Sequence, residues 1–379
     1  MAVFLTGATG YIGSYLATNL LRDHSERVAC LVRAESTEKA HQRLWKSLQL
    51  HMDFEEFQTH LADRIDVYLG DLTQPDLGLG DDKNRLIHSM ESVIHCAASL
   101  NRKSAKSCLN VNLRGTLEVV KLARAAHDHH GLRRFSDIST VAVAGHRKDE
   151  IVTEDKSIEW SRSDYDPYAR TKKFCEHMVH QLMPDVPITV FRPSIVLGDS
   201  RFPETTQFDM VRAFVMLAKM PILPLNPEWR VDIVPANYVG DAVVTLHQKD
   251  KPKHDAYHLS AGADALTYRE VVDGLRSSGH AGRQMFTPWL ERPFGSMINV
   301  LSNTPRNWGV ALPASLLKVF LPYLNFNTVF DNKRVCEEMG RKPESFSNYA
   351  YDLMNFAVDG DFSYPYRDWP TSSRTRKVA

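Results

Sequence analysis

The sequence predicts an α/β protein built on a doubly wound parallel sheet, with a smaller, mainly helical lobe in its C-terminal part. Short apolar runs alternate with periodic helical stretches through about residue 262. The first of these runs leads directly into a turn that carries three glycines, Gly7, Gly10 and Gly13. Two later regions, 199–230 and 263–379, are rich in Met, Phe, Leu and Pro and do not continue the alternation.

The composition is that of an ordinary globular protein and argues against several classes. The chain has 379 residues, of which 43% are hydrophobic and 24% are charged, and its formal net charge is zero. A balanced charge gives no overall field that would attract nucleic acid or an anionic membrane. The sequence has no run of about 18 uncharged apolar residues, so no transmembrane segment is expected.

The cysteines and the N-terminus favour a reducing, cytoplasmic location. The five cysteines are odd in number and none forms a Cys-x-x-Cys pair, so neither a disulfide framework nor a zinc site is indicated. The run HDHHG at 127–131 is better explained as the polar end of a helix before Gly131, and no metal is expected. The first residues open directly into an apolar strand pattern and lack the basic segment of a signal peptide.

The first predicted strand, residues 3–5, runs into the glycine turn, and a helical pattern follows. This order of strand, glycine turn and helix is the one that a dinucleotide-binding turn requires. Gly7 permits the tight turn, Gly10 lets a pyrophosphate approach the backbone, and Gly13 lets the helix pack closely on the strand. The N–H groups at the start of the helix would then bind the phosphates. A glycine-rich turn without a ligand is the alternative.

The second predicted strand, in RVACLVRAES, indicates which cofactor is bound. NAD-specific folds place an acidic residue near the end of this strand, where it binds the ribose 2′-hydroxyl. Here that place holds Arg33, whose planar donor fork suits a 2′-phosphate, so NADPH is predicted. Arg43, in the following helix, either adds a second phosphate contact or lies on a solvated helix face.

Three further strands are predicted to end close to the same site. They are RIDVYLGDLT, SVIHCAAS and FSDISTVAVAG. A strongly periodic helix, CLNVNLRGTLEVVKLARAA, is predicted before the last of these strands. Their ends carry Gly70 and Asp71, Ala97 and Ala98, and Ser139 and Thr140. Small residues after the fourth strand would let a cofactor lie close to the backbone. Because ligands bind at the carboxyl ends of parallel strands, these residues are expected to meet.

The next helix begins in DPYARTKKF, with Asp166 as its N-cap and Pro167 as its first helical residue. Tyr168 and Lys172 are four positions apart and therefore share a face. The pair is either solvated surface or a proton donor beside the cation that tunes it. An ammonium near a phenol favours the phenolate and lowers its pKa from about 10.

Together these segments resemble the extended short-chain dehydrogenases/reductases over roughly the first 245 residues. The resemblance rests on Gly7-x-x-Gly10-x-x-Gly13, Asp71-Leu72, HCAA, NLRGT with Asn112, Ser139-Thr140, Tyr168-x-x-x-Lys172 and RPS at 192–194. Each piece alone is common, but all of them in the order of the family are specific. The resemblance implies a Rossmann sheet and an NADP-dependent oxidoreductase.

Two stretches, CLVRAESTEKAHQRL and GDLTQPDLGL, are similar to the thioester reductase branch of that family. This branch includes the terminal reductase domains of carboxylic acid reductases and peptide synthetases, and it is related to fatty acyl-CoA reductases. The resemblance implies reduction of an acyl thioester to an aldehyde, and in some members on to the alcohol. No adenylation or carrier domain is recognised, so the thioester is expected in trans, on coenzyme A or on a separate carrier protein.

The resemblance also implies roles for individual residues. Tyr168 is expected to donate a proton to the carbonyl oxygen, Thr140 to hydrogen-bond to it, and Lys172 to bind the nicotinamide ribose. Asn112 is expected to hold a water that relays the proton. One step in register would exchange Thr140 for Ser139, so that choice stays open. The expected contacts with NADPH are Thr6, Gly7, Thr9, Gly10, Tyr11, Ile12, Gly13, Arg33, Arg43, Asp71, Leu72, Ala97, Ala98, Ser139, Lys172, Pro193, Ser194 and Ile195.

The chain is expected to form two domains. Residues 1–198 and 231–262 should form the NADP-binding domain, because VDIVPANYVGDAVVTL resembles the segment that closes it and AYHLSAG reads as a late strand. Residues 199–230 and 263–379 should form a smaller substrate lobe over the site.

An apolar cavity in this lobe is predicted to reach the nicotinamide. The prediction rests on an apolar cluster and on the apolar stretch 313–326. The cluster consists of Phe214, Met216, Leu217, Met220, Ile222 and Leu223. The stretch 313–326 is alternatively an ordinary core helix or a surface that touches lipid.

Two other functions remain open at this point. The chain could be an extended member that acts on a hydroxysteroid-like or sugar-nucleotide alcohol or ketone, or a non-catalytic dinucleotide-binding sensor. An apolar tunnel would favour acyl chains, and a polar pocket would favour nucleotide sugars. Competent residues at all four expected catalytic positions argue against the sensor.

Overall fold

The computed structural model describes residues 1–305, 311–325 and 327–370. The tail at 372–379, which the sequence predicts to be disordered, lies outside the described residues, as does the last residue of the apolar stretch 313–326. Among the helices of the described ranges, none is both long enough and apolar enough to cross a bilayer.

Strands and helices alternate along the chain as the sequence predicts. The described strands are β1 (Ala2–Thr6), β2 (Arg27–Val32), β3 (Ile65–Leu69), β4 (Met90–His95), β5 (Arg134–Ile138), β6 (Ile151–Val152), β7 (Ile188–Pro193), β8 (Ile195–Val196), β9 (Ile222–Leu223), β10 (Arg230–Val231), β11 (Ile233–Val234), β12 (Ala256–Leu259), β13 (Leu266–Thr267), β14 (Met285–Phe286) and β15 (Val329–Phe330). The described helices are α1 (Tyr11–Asp23), α2 (Thr37–Leu48), α3 (Phe54–Asp63), α4 (Asp82–Ser89), α5 (Ala105–Ser107), α6 (Gly115–His130), α7 (Pro167–Leu182), α8 (Asp209–Lys219), α9 (Ala236–Gln248), α10 (Tyr268–Ser277), α11 (Glu291–Leu301), α12 (Ala311–Leu324), α13 (Lys333–Met339) and α14 (Ala350–Asp359).

Seven of the described strands form one parallel sheet in the order β3-β2-β1-β4-β5-β7-β12. The strand order reverses between β1 and β4, and in such sheets ligands bind outside the carboxyl ends of the strands at the point of reversal. Every residue of β1 and of β5 is buried, as expected for strands covered on both faces. The predicted doubly wound α/β fold is therefore confirmed.

Helices cover both faces of the sheet and create two separate cores. On one face α1 and α9 bury residues such as Leu16 and Val243 against the strands. On the other face α4, α6 and α7 bury Leu86, Val119 and Val179. Because helices of the described chain cover both faces, a ligand is expected to bind this sheet at the ends of its strands.

The turn between β1 and α1 is shaped by close backbone approaches. Gly7 has a φ of +83°, in the left-handed region that favours glycine. A Cβ atom on Gly13 would lie 1.9 Å from the carbonyl oxygen of Gly7, so no larger residue fits there. Gly10 is the N-cap of α1, and its lack of a side chain leaves the first N–H groups of the helix open at the carboxyl edge of the sheet.

The helix that precedes β5 departs from the regular helix predicted from Cys108 onward. A π-helical segment, Cys108–Arg114, comes before α6. Wide turns of this type are rare and commonly lie at functional sites. Here the segment carries Asn112, whose side chain contacts Ser99 and Thr171.

The C-terminal lobe has a hydrophobic core of its own, to which α8, α10, α12 and α14 contribute. The apolar cluster predicted to line a substrate cavity belongs to this core. Phe214, Leu217 and Leu223 are buried in it, and Met216 and Met220 pack against it. The sixth member, Ile222, is 42% exposed. The predicted role of the cluster is therefore wrong, because five of its six side chains hold the lobe together.

The chain after β15 contributes to both parts of the molecule. Val335 of α13 is buried in the core between α1 and the sheet, whereas Leu353 of α14 is buried in the core of the lobe. The division into residues 1–198 with 231–262 and residues 199–230 with 263–379 stays a proposal. In that division α13 packs with the first domain despite its place in the sequence.

Residues 364–369 form a strap across α2 and α3, which we call the C-terminal strap. The backbone N–H of Arg367 donates to Oε1 of Gln49 over 2.7 Å, and Nε2 of Gln49 donates to the carbonyl oxygen of Arg367 over 3.3 Å. The ring of Trp369 packs edge-on against Phe54, with 5.1 Å between the ring centres. The strap thus fixes the end of α2, the helix that carries Arg43.

We expect Gly13→Ala to destabilise the fold by about 2 kcal/mol or more, because the added methyl would force apart backbone atoms of the turn. Gly295→Ala is the matched control: Gly295 lies inside α11, and the nearest atom to a new Cβ is a methyl carbon of Leu321 at 3.9 Å. This control should be neutral or stabilising by up to about 1 kcal/mol. Urea unfolding measures both, and equal stability of the two variants would contradict the packing argument.

Candidate active site

A cavity of about 600 Å³ lies at the carboxyl edge of the sheet, where β1 and β4 are neighbours. It brings together nearly all the residues singled out in the sequence. Those that line it are Gly7, Thr9, Gly10, Tyr11, Ile12, Gly13, Arg33, Arg43, Asp71, Leu72, Ala97, Ala98, Ser139, Thr140, Tyr168, Lys172, Pro193, Ser194 and Ile195. One connected site therefore contains the glycine turn and the Tyr168–Lys172 pair.

Thr6 does not line the cavity. It is fully buried, its Oγ1 lies 2.8 Å from Nδ1 of His95, and the same oxygen accepts from the N–H groups of Cys96 and Ala97 at 3.2 Å. Its side chain thus joins the ends of β1 and β4. This structural role is the one that the contacts of Thr6 show, and the expected contact with a cofactor stays a prediction.

Asn112 also lies outside the cavity lining. Its Oδ1 accepts from the N–H of Ser99 at 2.7 Å, and its Nδ2 donates to the carbonyl oxygen of Ser99 and to Oγ1 of Thr171. The side chain is 1% exposed. Both ends of the amide thus bind protein groups, and the expected role of Asn112 in holding a relay water stays a prediction.

The Lys172 ammonium is buried between the end of β5 and the start of α7. Its Nζ donates to the carbonyl oxygen of Ile138 over 2.6 Å and lies 3.9 Å from Oδ1 of Asp137. Burial would lower the pKa of Lys172, but the negative charge of Asp137 and the phenol of Tyr168 outweigh it, so the pKa is raised. Lys172 is therefore a fixed cation at the edge of the cavity.

The pKa of Tyr168 corrects the expectation drawn from the sequence. Burial is the largest effect and raises this pKa. The positive charges of Lys172 and Arg102 lower it, but they offset only part of the effect of burial. The direction of the lysine's contribution is as expected, whereas the net shift is upward, and Tyr168 is a protonated phenol near neutral pH.

The structure separates Ser139 from Thr140 by their partners. The Ser139 hydroxyl donates to Oε1 of Glu176, and Glu176 is paired with Arg192 over 2.7 Å in a buried ion pair. Thr140 Oγ1 accepts from the N–H of Ala142 at 3.2 Å and lies 3.5 Å from the carbonyl oxygen of Pro193. The Ser139 hydroxyl is thus already engaged by a carboxylate, whereas the Thr140 hydroxyl has only a long contact to Pro193 for its proton. This difference favours Thr140 as the hydrogen-bond donor into the cavity.

The arginines at the other end of the cavity surround the end of β2. Nη1 of Arg33 lies 3.7 Å from Oδ2 of Asp71, and the Arg33 side chain is 70% exposed. The Arg43 guanidinium donates to the carbonyl oxygen of Arg33. Both arginines line the cavity, so Arg43 lies at the site and not on a remote helix face.

Three charged or aromatic residues of the site were not singled out in the sequence: Asp137, Arg102 and Tyr323. Asp137 lies inside β5 and is fully buried, and burial raises its pKa to about 6 although Lys172 lowers it. Arg102 follows β4, and Tyr323 comes from α12 of the lobe. The strand reads Arg-Phe-Ser-Asp-Ile, so its pattern did not set Asp137 apart, and no local pattern marks the other two.

The lobe contributes a mixed surface to the mouth of the cavity. The lining residues from the lobe are Gln207, Asp209, Met210, Ser315, Leu316 and Tyr323. Polar groups outnumber apolar ones among them, which differs from the apolar channel predicted from the sequence. Among the described residues there is no group of three or more His, Cys, Asp or Glu side chains suited to a metal ion.

The glycine turn and the first turn of α1 suit the diphosphate of a dinucleotide. A Cβ on Gly7 would lie 2.7 Å from the backbone nitrogen of Ala97, so the two segments approach as closely as backbones allow. The open N–H groups of α1 and the small side chains of Ala97 and Ala98 leave room for phosphate oxygens beside the backbone. The residues present therefore fit a nicotinamide dinucleotide.

A comparison with known families matches residues 5–243 to an NAD-binding family described as Male sterility protein. This confirms the family resemblance inferred from the sequence. That family comprises NAD(P)-dependent reductases of the extended short-chain type. The match contains the glycine turn, both arginines, Tyr168 and Lys172.

Curated relatives match most of this chain. An isonitrile lipopeptide synthase from Mycobacterium tuberculosis is 28% identical over 348 residues, which cover 81% of this chain and 13% of the relative. A carboxylic acid reductase from Mycobacterium marinum is 27% identical over 336 residues, which cover 80% of this chain and 28% of the relative. The chain thus spans less than a third of the length of these two proteins.

Solved structures share the fold over almost the whole chain. The terminal R domain from the myxalamid PKS-NRPS biosynthetic pathway has a TM-score of 0.80 at 24% identity and covers 95% of this chain and 91% of its own. A reductase domain of a nonribosomal peptide synthetase from Mycobacterium tuberculosis has a TM-score of 0.73 at 24% identity, with the same coverage of 95% and 91%. These likenesses establish the fold.

We expect Lys172→Met to cost more stability at pH 8 than at pH 5. The folded pKa of Asp137, about 6, lies above its unfolded value of about 3.9, so stability is lost as the pH rises through about 6. Removing the ammonium raises that pKa further and extends the loss to higher pH, at about 1.4 kcal/mol per pKa unit. At pH 5 the protonated carboxyl needs no counter-charge, and methionine should be tolerated.

Urea unfolding at the two pH values measures this difference. The control is the double variant Lys172→Met/Asp137→Asn, which removes both charges and should recover stability at pH 8, because replacing both members of a buried pair is often neutral. The same loss at both pH values in the single variant would contradict the coupling between Lys172 and Asp137.

Proposed function

Because the chain belongs to the Male sterility protein family, we propose that it is an NADPH-dependent reductase that converts an acyl thioester to an aldehyde. The observation that carries the proposal is the placement of Thr140, Tyr168 and Lys172 around one cavity that also holds the glycine turn. The sequence relationship to a carboxylic acid reductase supports the same reaction class.

A bound reduced nicotinamide would supply the hydride. The protein's part is to bind the thioester carbonyl at the end of β5 and to neutralise the charge that develops on its oxygen. Tyr168, a protonated phenol near neutral pH, donates its proton to that oxygen, and the Thr140 hydroxyl donates a hydrogen bond to it. The resulting thiohemiacetal expels the thiol and leaves the aldehyde.

Lys172 acts on Tyr168 through its charge. The ammonium is held by Ile138 and Asp137, so it stays in place when the phenol loses its proton. A fixed cation beside the phenolate costs no reorganisation at that moment. Lys172 also lines the cavity, and the family resemblance implies that its ammonium binds the ribose hydroxyls of the cofactor.

A second candidate is oxidation or reduction of a hydroxysteroid-like or sugar-nucleotide alcohol or ketone. The mixed, polar contribution of the lobe to the mouth of the cavity is the observation that favours it. Thr140, Tyr168 and Lys172 would serve this reaction equally, so only substrates can distinguish the two. The presence of all three residues argues against a non-catalytic sensor.

A cytoplasmic location is part of the proposal, because thiols stay reduced there. Within the described residues the five cysteines are all unpaired, which suits a reducing compartment.

The test is oxidation of NADPH by the purified protein with a panel of acyl-CoA, acyl-carrier-protein, aldehyde, ketone and sugar-nucleotide substrates. We expect thiol release with one NADPH consumed for each aldehyde formed. We expect Tyr168→Phe to abolish this turnover and to leave NADPH binding unchanged, because it removes only the hydroxyl. Turnover of ketones or sugar nucleotides without any thioester turnover would contradict the proposed substrate class, and normal turnover by the phenylalanine variant would exclude Tyr168 as the acid.

The choice of NADPH over NADH rests on Arg33 and Arg43 at the end of β2. Arg33→Asp should weaken NADPH binding at least tenfold and leave NADH binding less affected, because the carboxylate repels a 2′-phosphate and accepts from a 2′-hydroxyl. Dissociation constants for both cofactors measure this, with Arg276→Asp on α10, away from the cavity, as the control. Equal affinity of the unaltered protein for NADH and NADPH would contradict the role of Arg33.

A further inference from the structure

We propose that Arg102 is a positioning residue that stabilises the phenolate of Tyr168, and that the lobe helix α12 holds Arg102 in place through Tyr323. The inference rests on the proposed function, because it concerns Tyr168 as the proton donor. It adds a second cation to the site and makes the strength of the acid depend on a contact between the two parts of the molecule.

The geometry consists of one guanidinium in contact with two aromatic rings. Cζ of Arg102 lies 4.7 Å from the centre of the Tyr168 ring and 4.5 Å from the centre of the Tyr323 ring. Nη1 of Arg102 also donates to the Tyr323 hydroxyl over 2.6 Å. The Arg102 side chain is only 19% exposed, so water screens these contacts weakly.

Asp166 ties the cluster to the start of α7. Its Oδ1 accepts from the N–H of Ala169 at 2.8 Å and so caps the helix that carries Tyr168. Its Oδ2 accepts from the Tyr323 hydroxyl at 2.6 Å and lies 3.4 Å from Nη1 of Arg102. The Tyr323 ring is itself stacked on Tyr165, with 4.7 Å between the ring centres and 20° between the planes. Cap, cation and lobe helix therefore form one unit.

A cation over an aromatic ring binds the ring more strongly once the ring carries negative charge. A neutral phenol attracts the guanidinium through the negative face of its ring, and the charge of a phenolate adds a direct Coulombic attraction. Arg102 thus stabilises the product of proton donation more than the reactant. This is the kind of interaction that accelerates a chemical step.

Among the described residues, ionisable groups on three segments act on Tyr168. Lys172 and Asp166 come from its own helix, Cys96 and Arg102 from the segment after β4, and Tyr323 from α12. The two cations lower the pKa of Tyr168, while Asp166 and Cys96 raise it along with burial. Asp166 and Arg102 therefore have opposite effects on the pKa of Tyr168, although Asp166 also holds the guanidinium against the ring. Loss of Arg102 would leave Lys172 as the one cation among these groups.

An arginine suits this place better than a lysine. The planar guanidinium can lie against two rings and still donate along its edge, whereas an ammonium is a compact point charge that favours hydration. Arg102→Lys should therefore retain part of the effect and Arg102→Met none.

The test measures the ionisation of Tyr168 itself, without substrate or cofactor. A fluorinated tyrosine placed at position 168 gives one fluorine NMR signal that titrates with that phenol, in a pH range where the protein stays folded. We expect Arg102→Met to raise the pKa of this phenol by about one unit, a tenfold change in its ionisation constant, and Arg102→Lys to raise it by less. Arg170→Met, on the exposed part of α7, is the matched control and should leave the titration unmoved.

Tyr323→Phe is the second variant, and it keeps the ring but removes the hydroxyl that fixes Arg102. It should raise the pKa of the phenol by a smaller amount, and it decides the question if Arg102→Met does not fold. An unchanged titration in folded Arg102→Met, or in Tyr323→Phe when the first variant is unfolded, would overturn the proposal.

Activity separates this proposal from the proposed function. With an active thioester, Arg102→Met should lower kcat by up to about tenfold with little change in KM, because a weaker acid slows proton transfer without altering binding. If the unaltered protein reduces no thioester at all, the proposed function fails while the titration still reports on Arg102.

Discussion

A buried ammonium is the constraint on which the rest of the site depends. Lys172 is 1% exposed, and a charge in that environment requires a counter-charge and hydrogen-bond acceptors in fixed places. The end of β5 supplies both, as the carbonyl oxygen of Ile138 and the carboxylate of Asp137. A parallel sheet can offer them together because the ends of its strands point toward the first turn of the helix that follows.

The surroundings of that ammonium are built from buried pairs rather than from apolar packing alone. Arg192, in β7, pairs with Glu176 of α7, and Glu176 accepts from the Ser139 hydroxyl. Removing one partner of such a pair leaves a charge buried and costs far more than the pair itself contributes. These buried contacts therefore tie β7 and the end of β5 to α7. Rigid placement of this kind is what a proton donor requires, since its distance to the substrate oxygen decides the rate.

Much of this architecture can be predicted from the sequence, because the patterns that indicate it are local. The glycine spacing, the strand ends and the spacing of Tyr168 and Lys172 each depend on a few neighbouring residues, and the residues they pointed to line one cavity. Contacts between residues far apart in the sequence could not be predicted in this way. Arg102 and Tyr323 are 221 positions apart, and no local pattern predicts their contact. The apolar residues of α8 show the same limit, since helical spacing indicates a buried face but not which core it faces. Burial also decided the net shift of the Tyr168 pKa, and burial follows from the complete fold.

The C-terminal strap has a consequence for how the protein reaches this fold. It joins Gln49 to Arg367 across 318 positions, and β12 and α13 complete the sheet and its core from late in the sequence. Contacts between distant segments form slowly, because a long loop must close before they contribute any stability. The helices α2 and α3 of the first third of the chain therefore gain their contacts with the C-terminal strap only after residues 364–369 have been made. During synthesis on the ribosome, the edge of the sheet beside β7 stays unpaired until β12 emerges, and an unpaired strand edge of this kind favours aggregation.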